Sequence, residues 1–200
     1  MAKTKSSRPS KTAVDGLSKL PAETSVVSSS ATDTELIRSA AVTPKDSGLD
    51  ELFLSSLKDI YWAEKHLVKS LPIMIDAAGG SQLQEALTEH LAVTKNQVDR
   101  LEQVFSSLGE KLVAQKCDAM EGLTISGENI IENTLAGSEA RDTGIVMSGL
   151  KVENFEITSY KGLIQVATKL GYTDAATLFQ SSLEEEVEAE NILNTIAANS

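Results

Sequence analysis

Cysteine occurs once in this chain, at Cys117, so neither an internal disulfide nor a multi-cysteine zinc site can form. That usage fits a reducing compartment, and a cytoplasmic location is the expectation. No run is long and apolar enough to span a bilayer, so no membrane association is expected. The basic N-terminal start is not followed by an apolar stretch of about 7–15 residues, so it does not read as a secretory leader. Basic residues are in the minority, 18 Lys and Arg against 29 Asp and Glu, for a net charge of −11. Residues 1–50 hold seven of the basic and six of the acidic groups, so the acidic excess lies almost wholly beyond them. A domain of that charge with no basic patch repels nucleic acid, and no nucleic-acid partner is expected.

Proline is also scarce, and its placement divides the chain. Three of the four prolines fall within residues 1–46, together with many Ser, Thr, Lys and Ala and only scattered apolar residues. That composition predicts a disordered leader over 1–46 and one folded domain over 47–200. From about residue 48 the apolar spacing is helical almost throughout. A first helix is predicted over about 48–77, kinked at Pro72 and stopped by Gly79-Gly80. A second starts at Ser81, with Gln84 placed for a capping box, and ends before Gly109. Residues 110–140 are less regular, with short helical pieces expected near 117–122 and 128–136. A third long helix spans about 142–170 and stops at Gly171. Thr173 caps the fourth, which runs to about 197. Two short turns and one long link give an all-α fold: a four-helix bundle of two antiparallel hairpins, with a crossover containing short helices. Displacing the chain by 92 residues aligns Gly79 with Gly171 and Glu64 with Glu156, the trace expected of a duplicated hairpin.

The unexpected residues are polar ones in the middle of apolar stripes. The first helix places Phe53, Leu57, Ile60, Glu64, Leu67, Leu71 and Met74 on one face. The third has Val152, Glu156 and Leu163 in one row and Glu153, Ile157 and Tyr160 in the adjoining one. The fourth has Phe179, Ser182, Glu186, Ala189 and Leu193, with Glu190 one turn beyond Glu186. The second offers His90, with Thr94 and Gln97 nearby. A lone buried carboxylate costs several kcal/mol, and several at one height also repel each other. Two devices reconcile them: protons held at raised pKa, or bound cations. Oxygen ligands with an imidazole suit manganese, iron or zinc, and oxygen ligands alone suit magnesium or calcium. The candidate ligands are therefore Glu64, His90, Glu153, Glu156, Glu186 and Glu190. Glu184, Glu185 and Glu188 read as a solvated face, and His66 as a surface residue. Tyr61 and Tyr160 stand one turn from the acids and are placed to donate to them. Cys117 reads as packing.

The segments DIYWAEKHLVKSLPIM, HLAVTKNQVDRLEQVF, KCDAMEGL, KVENFEITSY and SLEEEVEAE, in that order, resemble the YciE/YciF family of ferritin-like proteins over about residues 50–198. The resemblance implies a ferritin-like bundle, a homodimer, a link to stress responses, and a di-metal site for iron or manganese with ferroxidase-like chemistry by analogy. Two departures bear on that site. Where relatives read His-Leu-Glu-Glu-Thr, this chain reads His90-Leu91-Ala92-Val93-Thr94. Where they read Glu-His-Tyr-Glu, it reads Glu153-Asn154-Phe155-Glu156. It also lacks the Glu-x-x-His of ferritin-like di-iron sites. The sequence thus supports two readings: a metal-binding, ferroxidase-like protein, or a non-catalytic dimeric stress protein with a degenerate metal site.

Overall fold

The computed structural model describes residues 47–199, and the leader predicted over 1–46 lies outside them. The described chain forms five helices: α1 (Ser47–Ala77), α2 (Ser81–Ser107), α3 (Asp118–Asn133), α4 (Glu139–Leu170) and α5 (Thr173–Asn199). The four long ones make the expected bundle. α1 pairs with α2, α4 pairs with α5, and the hairpins join through α1 against α4 and α2 against α5. The crossover holds one continuous helix, α3, in place of two short pieces. Gly122 and Gly127 lie inside it because α3 packs across α1 and α4, and tertiary packing overrides the weak propensity of glycine. α1 runs unbroken through Pro72.

The helix ends are set by specific bonds. α2 and α4 terminate in left-handed glycines, Gly109 (φ 68°) and Gly171 (φ 79°), where a Cβ is disfavoured. The following amides reach back to close each end, Glu110 N–H to Phe105 O (2.9 Å) and Tyr172 N–H to Ala167 O (2.9 Å). The capping box expected at Ser81 does not form. Gly80 is the N-cap, and Gln84 Nε2 donates to Ala78 O (2.7 Å) instead. The amides of Gly79 and Gly80 donate to the two carboxylate oxygens of Asp142, each at 2.8 Å. Asp142 lies in the first turn of α4, so one side chain ties the turn of the first hairpin to the start of the second. α4 begins three residues earlier than its apolar spacing implies because Ser138 caps it, its side chain accepting from Arg141 N–H. Arg141 in turn donates to the carbonyls of Ile131 and Thr134, satisfying the open end of α3.

The core follows the stripes. Phe53, Leu57, Ile60, Leu67 and Leu71 of α1 pack with Leu83, Leu101 and Phe105 of α2, Leu163 of α4 and Phe179 of α5. Burying a side chain such as Leu57 fully contributes about 1.5–3 kcal/mol. Into this apolar interior the helices also carry Glu64, His90, Thr94, Gln97, Glu153, Glu156, Ser182 and Glu186, all buried.

Candidate metal centre

Each long helix delivers its polar residue for the same local reason. The residue stands where the 3.6-residue period points inward, and flanking apolar residues lock the helix in that rotation. His90, Glu153, Glu156 and Glu186 converge so that one potential ligand atom from each lies within 4.8 Å of the others. His90 Nε2 is 3.5 Å from Glu153 Oε1 and 3.9 Å from Glu186 Oε2. Glu64 lies outside this set but borders it. It is 0% exposed, its Oε1 accepts from Tyr160 Oη at 2.5 Å, and its charge acts on Glu156. Gln97 Nε2 donates to Glu186 Oε1, and Thr94 Oγ1 donates to His90 O within α2 (2.8 Å).

What the cluster lacks is partners. Glu64 Oε2, His90 Nε2, Glu153 Oε2, both carboxylate oxygens of Glu156 and Glu186 Oε2 are buried and find no hydrogen-bond partner among the described residues. Each such atom costs about 1–3 kcal/mol, and more if charged. Burial, followed by the neighbouring carboxylates, holds Glu64, Glu153 and Glu156 well above the usual carboxylate range. Glu186 is pushed up to about 7 by burial, opposed by its bonds with Glu153 and Gln97. Burial lowers His90 to about 4, so its imidazole is neutral and a lone pair is available to a cation. Tyr160 is raised by burial and by the Glu64 charge, which keeps it a donor. His90, Glu153, Glu156 and Glu186 could each give one ligand atom to a divalent cation, whose charge would offset their mutual repulsion. The donor set, carboxylates with one neutral imidazole, is one that could hold a metal ion.

The remaining candidates are placed otherwise. Glu190 is half-buried on the next turn of α5 and accepts from Asn154 Nδ2 (3.1 Å). Asn154 is exposed and also donates to Leu150 O, so a histidine there would not face the cluster. Ala92 is exposed as well, whereas Val93 is half-buried and lines a cleft that opens between α2 and α5. Of the departures on α2, then, the one at Val93 adjoins the centre. The tyrosines separate: Tyr160 serves Glu64, but Tyr61 Oη donates to Glu102 (2.7 Å) and leaves the acids alone. His66 is half-buried, not on the surface; it bonds Thr124 Oγ1 (2.8 Å) and stacks on Trp62. Glu185 is not a freely solvated acid, because Arg100 grips both its oxygens at 2.8 and 2.9 Å and also donates to Ser182 Oγ (2.7 Å). Sequence reasoning passed over Arg100. Its spacing of three from Gln97, on the face that carries His90 and Thr94, is the signal that marks it.

Comparison with known proteins agrees with this architecture. Residues 48–200 match the family described as Domain of unknown function (DUF892). Protein YciF of Escherichia coli K12 is 37% identical over 152 residues, covering 76% of this chain and 91% of that protein. The crystal structure of that stress protein superposes with a TM-score of 0.73 over 95% of its chain. YcfI of Rhodopseudomonas palustris, 35% identical, superposes with a TM-score of 0.72 over 78% of this chain and 97% of its own. A Xanthomonas campestris protein at 18% identity shares the fold, with a TM-score of 0.59 over 76% of this chain and 92% of its own. The chain belongs to the DUF892 family and is a relative of YciF.

Proposed function

We propose that this protein is a stress-associated, ferritin-like metal protein that binds iron or manganese, one or two ions, among Glu64, His90, Glu153, Glu156 and Glu186. The observation that carries the reading is the convergence of buried carboxylate and imidazole atoms without hydrogen-bond partners. His90, Glu153, Glu156 and Glu186 would hold the first ion, and Glu64 with Glu156 would flank a second. Bound there, iron or manganese supplies redox chemistry, and oxidation of Fe(II) by dioxygen or a peroxide is the reaction the donor set suits. The protein's own groups do the rest. Tyr160 orients Glu64, and Gln97 orients Glu186. A homodimer and a cytoplasmic location belong to the same reading; light scattering and cell fractionation test them. Among the described residues no helix is long and apolar enough to cross a membrane.

The deciding experiment is metal analysis of protein purified without chelators, paired with melting curves with and without Mn(II) or Fe(II). Stabilisation that scales with metal, and is lost in Glu186→Gln, supports the centre. The second reading, a non-catalytic stress protein, draws on the hydrogen bonds that already serve one oxygen each of Glu64 and Glu186. A wild type indifferent to metal, with Gln variants that lose stability in metal-free buffer, favours that reading.

A further inference from the structure

The cleft between α2 and α5 is the feature whose chemistry the centre does not yet account for. Its floor is His90 and Glu153, both at least nine-tenths buried, with His90 Nε2 and Glu153 Oε2 unpartnered. Its walls are mainly aliphatic, among them Ala86, Val93, Ala189 and Ile192, and they include Glu185. Its outer edge carries Glu89 and Glu188, both exposed, and the same two residues border a second cavity further out along the groove. Unpartnered ligand atoms therefore lie at the bottom, a largely apolar shaft whose acid, Glu185, is paired with Arg100 lies above them, and two exposed carboxylates stand at the top.

The cleft's volume, about 220 Å³, holds on the order of seven waters or more at ~30 Å³ each. That is the size of a divalent ion with an octahedral shell of six waters, as carried by magnesium and similar small dications. The ion need not lose its shell before it meets Glu153. A third cavity reaches Glu153 from the side of α3, past Ser70, Thr124 and Ser148, but at about 40 Å³ it is too small for a hydrated ion. The sign of the rim also selects. Carboxylates at a low-dielectric mouth concentrate cations and turn anions away.

The structure assigns the α2–α5 cleft as the entry route for a hydrated divalent cation, with Glu89 and Glu188 capturing the ion at the rim and passing it to Glu153 and His90. This rests on the metal-binding reading above. The test follows Co(II) uptake by chelator-stripped full-length protein through its visible absorption, with final content measured separately. Glu89→Gln/Glu188→Gln is expected to load about 3–10-fold more slowly at low ionic strength. The gap should close in ~0.5 M salt, where exposed charges are screened. Final Co(II) content and spectrum should match the wild type, because the inner ligands are untouched. Ala86→Phe, which fills the shaft, should also slow loading, and circular dichroism verifies its fold. Equal loading rates in wild type and the Gln pair overturn the route and leave the centre standing. A lower final content in that pair also overturns it, since the two residues would then be ligands. Wild type that takes up no Co(II) overturns route and centre together.

Discussion

Tyr160 Oη donates a 2.5 Å hydrogen bond to Glu64 Oε1 across the α4–α1 contact, linking two side chains that are both 0% exposed. The phenol donates to a carboxylate whose other oxygen has no donor among the described residues. Tyr160→Phe keeps the ring packed near Phe179 and removes that donor. A further buried oxygen without a partner costs about 1–3 kcal/mol. A domain of this size shifts by roughly 2–4 °C per kcal/mol. The metal-free variant should therefore melt several degrees lower, which calorimetry in chelator checks.

Glu156 behaves in the opposite sense. Neither of its oxygens has a hydrogen-bond partner, and its neighbours are the acids Glu64, Glu186 and Glu153. Glu156→Gln keeps the shape and removes a group that must either hold a proton at raised pKa or repel its neighbours. In metal-free buffer the variant should be no less stable than wild type, and up to a few kcal/mol more so. With Mn(II) or Fe(II) it should lose most of the metal-dependent rise in Tm. Destabilisation in chelator together with a normal metal response would contradict this account.

The pH dependence of the metal-free protein follows from the raised carboxylates. Unfolded, these groups ionise near pH 4. Folded, Glu64, Glu153 and Glu156 hold protons well above that range, and Glu186 up to about 7. The folded state thus binds more protons between those limits, and stability falls as pH rises through them. His90, lowered to about 4, acts in reverse: its contribution is lost as pH falls below about 6.5. Four carboxylates outweigh one imidazole. In chelator the Tm should fall from about pH 5.5 to about pH 8. With Mn(II) present the stabilisation should grow over that interval, because metal ligands must be deprotonated. A flat or rising profile in chelator would count against the buried cluster.

Asp142 provides a test remote from the centre. Its two oxygens accept from Gly79 and Gly80, and Asp142→Ala removes both charge-assisted bonds at the turn between α1 and α2, leaving the amides to solvent. The loss should be about 1–3 kcal/mol, with metal affinity little changed because the candidate ligands keep their places. Urea unfolding and metal titration, run side by side, separate the two effects.

The sequence by itself determined the helices and their inward faces. Glu64, Glu156 and Glu186 interrupt apolar stripes, and helical period alone fixes the direction in which such residues point. The interruptions were therefore legible without coordinates, as were the hairpin turns at Gly79-Gly80 and Gly171. Period does not fix the height at which one helix meets another, nor the rotamer of a long side chain. Those depend on inter-helix register, which is set by packing between residues far apart in the chain. Only the tertiary structure could decide that His90 meets Glu153 and Glu186 while Glu190 turns to Asn154. It also decided that Tyr160 rather than Tyr61 serves Glu64, and that Arg100 takes Glu185. The same holds at the helix ends. Ser81 and Gln84 spell a capping box, yet Gly80 is the N-cap and Gln84 turns to Ala78 O, while Asp142, some sixty residues away, takes the amides of Gly79 and Gly80.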